Sequence, residues 1–568
     1  MPDRKPIPVG TEDFKELIDK EYCFVDKTLL IKDLLDQNAK VNLITRPRRF
    51  GKTLNMSMIQ RFFEKTEESN AYLFDGLKIK DAGEKYLKHL GQYPVITVSL
   101  KDMDKSDYES DFVFFKNAVT EEFGRHNYLK DSSELSESEK EKFLSIRDEK
   151  AKDIEYKSAL RFLSLCLEKH FHEKVILLID EYDVPLENAH FNGFYDKMVE
   201  LVRSVFKGVL KTNPSLEFAV LTGCLRISKE SIFTGMNNLE IYPVTDQRLS
   251  EYYGFTKSEV EYLTKYFDLE NNLEEMKKWY DGYLFGKTEI YNSWSIVKYI
   301  ASAIGGNDYS CKPYWINTSS NSIIHQLIEK SDENTKQKVE NLIAGGSVKA
   351  EINEESVYSD LDVNNDAIWS FLLFTGYLKQ INTEFTEDGI ISEMVIPNLE
   401  VRSVYRKTIR NWFKDSVQRD GTEALLKAML NEKPEEVEKE ISRWLQRSIS
   451  YHDTLENFYH GFLAGLLEGF KGYEVKSNRE NRDGRTDVTV CERYNRKEAI
   501  VLEIKSAETF KQMQTNCDKA VKQISENKYA EQFIDDCYQK VISYGISFYG
   551  KSCRVKMGET VYAPEDLK

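Results

Sequence analysis

Residues 41–58 read VNLITRPRRFGKTLNMSM, and this stretch decides the fold of the first part of the chain. The apolar run over residues 41–45 predicts a buried strand, and the apolar residues after position 53 predict one face of a helix. Gly51, Lys52 and Thr53 lie between the two elements. A glycine lets the backbone approach a phosphate, a lysine neutralises its oxygens, a threonine hydroxyl ligates Mg²⁺, and a helix N-terminus attracts an anion. The stretch therefore predicts a phosphate-binding loop.

The opening half of this loop departs from the usual G-x-x-x-x-G-K-[ST] pattern. Arg46 stands where the first glycine is expected, and Pro47 after it has no N–H to offer a phosphate. A Gly-Lys-Thr sequence also occurs in solvated turns, so a second signal is needed. The loop residues that we expect to contact ATP are Arg49, Phe50, Gly51, Lys52 and Thr53.

A second stretch supplies that signal. Residues 174–180 read KVILLID, an apolar run of the kind buried in a parallel sheet, and Glu181 follows Asp180 at its end. In a phosphate-loop ATPase an acid in this place holds the Mg²⁺ shell, and the next glutamate orients the attacking water. We therefore expect Thr53 and Asp180 to hold Mg²⁺ and Glu181 to act in catalysis. The simpler alternative is a capped strand end.

Further strands are predicted over residues 93–100, 216–222 and 239–244, with helical stretches between them. Alternating strands and helices indicate an α/β fold with a parallel sheet covered by helices. Thr222 ends one of these strands and is a candidate contact for the γ-phosphate. Arg226 is a weaker candidate. A strand end followed by a surface arginine is the alternative that the sequence leaves open.

Several longer motifs are similar to those of one protein family. They are TRPRRFGKT at 45–53, LLIDEYDVPL at 177–186, SIFTGMNNLE at 231–240, WYDGY at 279–283, FTGYL at 374–378 and IPNLEV at 396–401. They resemble the AAA-ATPase-like proteins of bacteria that carry a C-terminal nuclease-like domain. The resemblance implies that an arginine at the position of Arg46, in place of the first glycine, is usual for this family. It also implies ATP hydrolysis, with a homo-oligomer and an arginine from a neighbouring subunit as further expectations.

The C-terminal part contains a second set of chemically related residues. A predicted helix over residues 455–467 carries Glu456, and a predicted strand over 485–490 carries Asp487. In the next strand, Glu503 and Lys505 share one face because strand side chains alternate, while the residues between and before them point to the other face. Clustered carboxylates can hold a divalent metal, and a lysine can activate the nucleophile.

This order of residues resembles the PD-(D/E)XK nucleases. The resemblance implies that Glu456, Asp487 and Glu503 hold Mg²⁺ or Mn²⁺ and that Asp487, Glu503 and Lys505 act in catalysis. Gln523, on a helix predicted to continue to Tyr529, matches a polar position beside such sites. A nuclease fold without cleavage is the alternative.

Length and composition limit what the protein can be. A chain of 568 residues predicts about three domains, which we place at 1–250 (ATPase-like), 251–440 (mainly helical) and 441–568 (nuclease-like). The net charge of −16 argues against indiscriminate binding of nucleic acid over the whole surface. Residues 451–568 are nearly neutral, with 18 basic and 19 acidic residues, so they are the less repelled part.

Other features favour a soluble protein of the cytoplasm. The eight cysteines are scattered, which fits reduced thiols and predicts no zinc site. No apolar segment approaches the ~20 residues of a membrane helix, and the N-terminus lacks the apolar core of a signal peptide. Trp279, Tyr280, Tyr283, Trp294 and Trp315 could form a binding platform, although core packing is the simpler interpretation.

These observations support one main function and two alternatives. The main one is a cytoplasmic ATP-binding and ATP-hydrolysing protein whose metal-dependent nuclease-like domain acts on nucleic acid, in defence against or processing of foreign DNA. The first alternative is a regulatory ATPase switch whose C-terminal domain binds nucleic acid or protein without cleaving. The second is a scaffold with both sites idle, which the joint presence of both sets of residues disfavours.

Overall fold

The structure is a computed structural model that describes residues 4–226, 232–233, 236–315, 327, 331–356, 358–364, 366–387, 389–408, 422–447, 456–468, 470, 472–481 and 484–564. The chain divides into two compact units. The first consists of Met1–Ser319 and Val348–Val404, and the second of Ser320–Ser347 and Tyr405–Lys568. The bounds of the three domains predicted from the sequence stay a prediction.

The first unit contains a five-stranded parallel sheet. Its strands are β1 (Val41–Thr45), β2 (Val95–Ser99), β3 (Val175–Asp180), β4 (Leu216–Gly223) and β5 (Leu239–Tyr242). Their spatial order is β2-β3-β4-β1-β5, and each neighbouring pair is parallel. Every residue of β1 and β3 is buried, as expected for strands covered on both faces. The predicted α/β fold is confirmed, and β4 lies between the strand of the phosphate loop and the acidic strand.

In the part of the chain that the structure describes, ten helices accompany this sheet. They are α1 (Phe14–Asp19), α2 (Leu29–Gln37), α3 (Lys52–Phe63), α4 (Glu84–Leu87), α5 (Tyr108–Arg125), α6 (Glu137–Arg147), α7 (Asp153–Tyr156), α8 (Ala159–Phe171), α9 (Val184–Asn192) and α10 (Tyr195–Phe206). Shorter helical turns cover Asn70–Phe74, Lys78–Ala82, Asn127–Asp131, Lys207–Lys211, Ser250–Tyr252 and Glu270–Asn272.

Helix α5 protects the open edge of β2. Glu122 accepts the backbone N–H of Thr97 at 2.9 Å, and Arg125 donates to the carbonyl of Val95 at 2.5 Å. Both side chains thus bond to backbone groups of an edge strand, which would otherwise be available to pair with another chain. Carboxylate and guanidinium also pair with each other at 2.6 Å.

The middle of the chain continues with helices α11 (Lys257–Tyr266), α12 (Leu273–Tyr280), α13 (Ser293–Gly306), α14 (Glu333–Ile343, in the second unit), α15 (Asp360–Val363) and α16 (Ala367–Phe374). It also has strands β6 (Phe255–Thr256), β7 (Tyr283–Phe285), β8 (Thr288–Tyr291), β9 (Val348–Ile352), β10 (Lys379–Phe385) and β11 (Ile390–Val395). These form two antiparallel sheets, β6-β8-β7 and β10-β11-β9, which the sequence analysis did not predict. Tyr280, Tyr283 and Trp315 are buried, as the core-packing interpretation requires, whereas Trp279 and Trp294 are half-buried.

The second unit contains a mixed sheet in the order β12-β13-β14-β15-β16, with β17 paired to β15. Its strands are β12 (Tyr473–Asn481), β13 (Gly484–Glu492), β14 (Glu498–Ser506), β15 (Lys540–Tyr549), β16 (Ser552–Met557) and β17 (Val561–Tyr562). Strands β14 and β15 are parallel and the other pairs are antiparallel. Helices are α17 (Glu423–Leu430), α18 (Pro434–Arg447), α19 (Glu456–Leu467), α20 (Gln512–Glu526) and α21 (Tyr529–Asp535).

The two faces of this sheet pack against different helices. Leu502 and Ile504 belong to the core that includes residues of α17, α18 and α19. Ala499 and Val501 pack with residues of α20 and α21. Helix α20 ends at Glu526 because the chain turns there, so the prediction of one helix running to Tyr529 was wrong.

Candidate functional site

The loop between β1 and α3 makes a sharp turn that only a few backbone conformations allow. Gly51 caps α3 with φ of 82°, and Arg49 has φ of 72°. The first of these fits glycine, which adopts the left-handed region without strain, while the second is uncommon for an arginine. Since a helix N-terminus attracts anions, the turn places backbone N–H groups where a phosphate would bind.

Lys52 is the first residue of α3, and its ammonium group folds back onto the loop. The Nζ atom donates to the carbonyls of Arg46 at 3.0 Å and Pro47 at 3.1 Å, and it lies 3.7 Å from Sγ of Cys224. The side chain is 5% exposed. A buried positive charge inside this loop is placed to neutralise phosphate oxygens.

Asp180 joins three elements at the carboxyl edge of the sheet. Its Oδ2 accepts a hydrogen bond from the hydroxyl of Thr53 at 2.7 Å, and its Oδ1 accepts from the hydroxyl of Thr222. The backbone N–H of Glu181 also donates to Oδ1, at 3.1 Å. Hydroxyl and carboxylate oxygens are the hard donors that Mg²⁺ prefers, so Thr53 and Asp180 fit a magnesium site.

Glu181 has an unusual backbone and an unusual environment. Its φ of 53° is left-handed, a conformation that costs energy in a non-glycine residue and is frequent at functional sites. Burial raises the pKa of its carboxyl, while the positive charges of Lys52 and Arg48 oppose that rise. A base whose pKa lies above the ordinary carboxylate range is better matched to accepting a proton near neutral pH.

Four of the candidate loop and sensor residues make contacts that limit their roles. The ring of Phe50 packs against Tyr283 and Phe285 with centroids 4.8 and 5.2 Å apart, so only its backbone remains to contact ATP. The Arg49 guanidinium lies 4.5 Å from the ring centroid of Trp294. Arg226 pairs with Glu355 at 3.2 Å. Thr222 is fully buried beside Asp180.

Arg46 occupies the position of the missing glycine, but its guanidinium is buried away from solvent. It donates to the carbonyls of Thr45 at 2.8 Å and Tyr242 at 2.7 Å. It also lies over the rings of Tyr253 and Phe285, at 5.4 and 5.2 Å from their centroids. These contacts tie the start of the loop to β5 and to the segments that follow it, so the side chain supports the loop's structure.

Two acidic residues near this site were missed by the sequence analysis. Asp183 accepts the backbone N–H groups of Cys224 at 2.7 Å and Leu225 at 3.0 Å, which fixes the loop after β4. Glu187 pairs with Arg48 at 2.9 Å. The acidic spacing after Asp180 was the available signal, but it could not reveal which loop each carboxylate would face.

In the second unit, Asp487 and Glu503 lie on neighbouring strands. Strands β13 and β14 pair Val488 with Leu502, so continuing that antiparallel register places Asp487 opposite Glu503. Oδ2 of Asp487 accepts the backbone N–H of Ile504 at 2.8 Å. Because Leu502 and Ile504 belong to the core of the opposite face, both carboxylates lie on the α20 side of the sheet.

Lys505 lies next to these carboxylates. Its Nζ is 3.1 Å from Oε1 of Glu503, as the predicted alternation of side chains requires. The lysine side chain is 26% exposed, but that of Glu503 is only 2% exposed. Glu503 is buried because the adjacent helix α20 packs closely against this part of β14 and β15. A Cβ at Gly545, which is paired with Glu503, would lie 2.7 Å from the carbonyl of Cys517.

The remaining predicted ligands are less well defined. Glu456 begins α19, and its side chain lies outside the described residues. One turn later, Nε2 of His460 lies 2.6 Å from the backbone carbonyl of Asp487. On α20, Asn516 donates to the carbonyl of Ser506 at 3.0 Å, whereas Gln523 accepts the N–H of Asn527 through its backbone carbonyl. Within the described ranges no group of three or more His, Cys, Asp or Glu side chains is arranged to hold a metal.

Two protein families match different parts of the chain, one in each of its two units. Residues 8–233 match the family described as "Predicted AAA-ATPase", and residues 454–558 match the PD-(D/E)XK nuclease superfamily. The chain joins an AAA-ATPase-like region to a PD-(D/E)XK-like region. The architecture implied by the sequence resemblance is confirmed.

Two individual proteins are similar to parts of this chain. An uncharacterised protein in the vnfD 5' region of Azotobacter chroococcum is 26% identical over 332 residues, which cover 57% of this chain and 56% of that protein. The chain thus aligns with about half the length of this relative. The Walker-type ATPase PABY2304 of Pyrococcus abyssi has a TM-score of 0.37 and 16% identity, covering 67% of this chain and 96% of that one.

No helix in the described part of the chain is both long enough and apolar enough to cross a bilayer.

Proposed function

We propose that the AAA-ATPase-like region binds and hydrolyses ATP with Mg²⁺. The observation that carries this proposal is the pair of hydrogen bonds by which Asp180 accepts from Thr53 and Thr222. These bonds join the phosphate loop, the acidic strand and the strand between them. When bound, Mg²⁺ would neutralise charge on the β- and γ-phosphates.

Each residue of this site then has a defined task. Lys52 brings its buried charge to the phosphates, and Thr53 and Asp180 supply the oxygens for the metal. Glu181 accepts a proton from the attacking water, which its raised pKa favours. Thr222 positions Asp180 through their hydrogen bond.

We also propose that the PD-(D/E)XK-like region cleaves nucleic acid with Mg²⁺ or Mn²⁺. Supporting this, Asp487 and Glu503 are on one face of adjacent strands and Lys505 is within 3.1 Å of Glu503. A metal at such carboxylates acidifies a bound water and clamps the scissile phosphate, and a lysine stabilises the charge that develops. Glu456 remains the proposed additional ligand.

A second candidate is a regulatory ATPase switch whose C-terminal region binds nucleic acid or protein without cleavage. One observation favours it. One oxygen of Asp487 already accepts the N–H of Ile504, which reduces the number of oxygens that can face a metal.

One experiment separates the two candidates. The purified full chain is incubated with plasmid DNA, single-stranded DNA and single-stranded RNA, with Mg²⁺ or Mn²⁺, and with or without ATP. Metal-dependent products that Asp487→Asn abolishes support the nuclease. If the parent cleaves none of these substrates but still binds one of them and hydrolyses ATP, the regulatory switch is favoured. Lys505→Ala is run beside them, since a contaminating nuclease would be insensitive to both changes.

The cellular role is proposed from the same chemistry. We infer a cytoplasmic protein that acts in defence against foreign DNA or in its processing, and that assembles into a homo-oligomer. Plating efficiency of phage and transformation efficiency of plasmids, in bacteria expressing the parent or Lys52→Ala, test the role. Light scattering of the purified protein with and without ATP tests the assembly.

A further inference from the structure

Three contacts connect one segment of the middle region to the proposed ATP site. We call residues 353–356 and 358 the Tyr358 segment. Glu354 accepts the hydroxyl of Thr245 at 2.6 Å, and Glu355 pairs with Arg226 at 3.2 Å. The hydroxyl of Tyr358 donates to Oε2 of Glu187 at 3.1 Å. Thr245, Arg226 and Glu187 follow β5, β4 and β3, so all three lie at the carboxyl edge of the parallel sheet, where ligands of such sheets bind.

The carboxylate of the third contact, Glu187, also bonds to a residue of the phosphate loop. Glu187 uses its other oxygen, Oε1, to accept a hydrogen bond from the Arg48 guanidinium at 2.9 Å. The side chains of Arg48 and Glu187 are 22% and 12% exposed. A single carboxylate thus bridges a loop arginine and the buried Tyr358, which is 1% exposed. Arg48 and Tyr358 therefore share Glu187 as a partner, and a movement of Arg48 away from Glu187 changes the carboxylate to which Tyr358 donates.

Arg48 belongs to the phosphate loop itself, because it directly follows Pro47, whose carbonyl accepts a hydrogen bond from Nζ of Lys52 at 3.1 Å. Its guanidinium therefore extends from the same loop as the ammonium group that is proposed to meet the phosphates. A terminal phosphate offers more negative charge than a carboxylate and accepts paired hydrogen bonds from a planar guanidinium. The side chain of Glu187 is only 12% exposed, so little water solvates its carboxylate. A phosphate, with its greater negative charge, can therefore compete with Glu187 for the guanidinium.

We propose that Arg48 contacts the γ-phosphate of bound ATP and that Glu187 holds it when no nucleotide is bound, so that ATP loosens the Tyr358 segment. This inference rests on the proposed binding of ATP at the loop. It assigns contact with the γ-phosphate to an arginine of the same chain, whereas the sequence resemblance implied an arginine from a neighbouring subunit. It also gives the middle region a direct response to the γ-phosphate, because ADP lacks the group that attracts Arg48.

The first test compares affinities for ATP and ADP, measured on the full chain by competition with a fluorescent analogue. Arg48→Ala should reduce the preference for ATP over ADP by about tenfold, the usual effect of one lost charge-assisted hydrogen bond. Glu187→Gln should increase that preference severalfold, since the competitor for Arg48 is weakened. The matched control is Arg61→Ala, which removes another arginine that pairs with an aspartate, Asp13, at 2.8 Å. Its ATP preference should equal that of the parent.

A purely structural ion pair gives a different pattern. Arg48→Ala and Glu187→Gln would then both lower thermal stability and leave the ATP/ADP ratio unchanged, which overturns the proposal. If the parent binds neither nucleotide, the proposed ATPase function fails as well. If binding depends on Lys52 but the ratio is the same in all variants, only the assignment of Arg48 fails.

The second test follows the Tyr358 segment by hydrogen exchange. In the Glu181→Gln protein, which should retain ATP, peptides covering residues 348–364 should exchange faster with ATP than with ADP. Tyr358→Phe should produce the faster exchange without any nucleotide, because the hydrogen bond to Glu187 is absent. Equal exchange with ATP and ADP in Glu181→Gln would overturn the release of this segment.

Discussion

The hydroxyl of Thr53 donates a hydrogen bond to Oδ2 of Asp180 across 2.7 Å, although the two residues are 127 positions apart in the chain. This bond joins the first turn of α3 to the end of β3. The strand β4 lies between β1 and β3, and its Thr222 binds the other oxygen of the same carboxylate. The proposed metal site is therefore built by three elements that meet at one edge of the sheet.

Lys52→Ala should remove most of the affinity for ATP. Its ammonium group is buried in the loop and is the charge best placed to meet the phosphates. We expect affinity to fall by about 100-fold, the upper range for a lost charged hydrogen bond. Titration with a fluorescent ATP analogue measures this. Lys20→Ala is the control, since Lys20 is exposed and pairs with Glu16. Equal affinity in the Lys52 variant and the parent would contradict the assignment.

Glu181→Gln should leave ATP binding intact and slow hydrolysis by about 100-fold, as expected for loss of a general base. Glu181 directly follows Asp180, and its φ of 53° is a strained conformation of the kind found at functional sites. Its proposed task is to accept a proton from water and not to bind a phosphate. Steady-state phosphate release measures the rate, and the fluorescent analogue confirms binding. Unchanged phosphate release would show that another residue accepts the proton.

The same glutamate predicts a pH dependence. Burial raises the pKa of Glu181, so the base becomes protonated on acidification at a pH above the ordinary carboxylate range. Hydrolysis by the parent should fall as the pH decreases through that raised pKa. The residual rate of Glu181→Gln should lack this fall, because an amide does not titrate.

Changes at Asp487, Glu503 and Lys505 should abolish metal-dependent cleavage and leave ATP hydrolysis near the parent rate. Asp487→Ala removes a ligand and Lys505→Ala removes a stabilising charge, and each should reduce cleavage by orders of magnitude. For Glu503 the variant is Gln, since the buried side chain makes an alanine cavity destabilising. Lys522→Ala on α20, an exposed lysine paired with Glu526, is the control. Cleavage that survives in all three site variants would refute the site.

Arg46→Gly should destabilise the protein even though it restores the usual glycine. The substitution removes a buried side chain and leaves the carbonyls of Thr45 and Tyr242 without their donor. We expect a loss of about 3 kcal/mol from the free energy of unfolding, combining cavity and hydrogen-bond effects. Thermal or urea unfolding measures it. Arg46→Lys should lose less, since it keeps a donor and most of the volume, whereas a more stable Arg46→Gly would contradict the structural role.

Stability of the first unit should decrease as the pH rises from about 4.5 to about 7. Burial raises the pKa of Glu400 from 4.5 to about 7, although the N–H of Trp315 and the hydroxyl of Ser295 donate to it at 2.8 Å. Because the folded-state pKa is the higher one, the protonated carboxyl contributes stability below pH 4.5, and that contribution is lost through about pH 7. The loss is about 3 kcal/mol when complete.

The melting temperature between pH 5.5 and 8.5, at constant ionic strength, measures this effect. Glu400→Gln keeps hydrogen-bonding atoms but cannot ionise, so its melting temperature should depend less on pH than that of the parent. A parent and variant with parallel curves would show that Glu400 does not titrate in this range.

The sequence predicted the elements that short-range patterns determine. The apolar runs that became β1 and β3 are almost continuous, as strands buried on both faces must be, and the parallel sheet followed from the alternation of predicted strands with helical stretches. The alternation of Glu503 and Lys505 with Leu502 and Ile504 also needed only the period of a strand. The strands β6 to β8 escaped prediction because they have only two to four residues, too few to show a pattern, so packing decides their pairing. Strand β9 does alternate between buried and exposed residues, but it was missed within a region that was predicted to be mainly helical.

The sequence by itself determined which residues belong to each candidate site. It also determined the local elements that carry them: the loop after β1 and the end of β3 for one site, and β13 and β14 for the other. Only the tertiary structure decided their partners. It placed the guanidinium of Arg46 in the interior, turned Arg48 toward Glu187, and covered Glu503 with α20. These outcomes depend on contacts between residues far apart in the chain, and no local pattern of charge or hydrophobicity specifies which distant carbonyl or carboxylate a long side chain will meet.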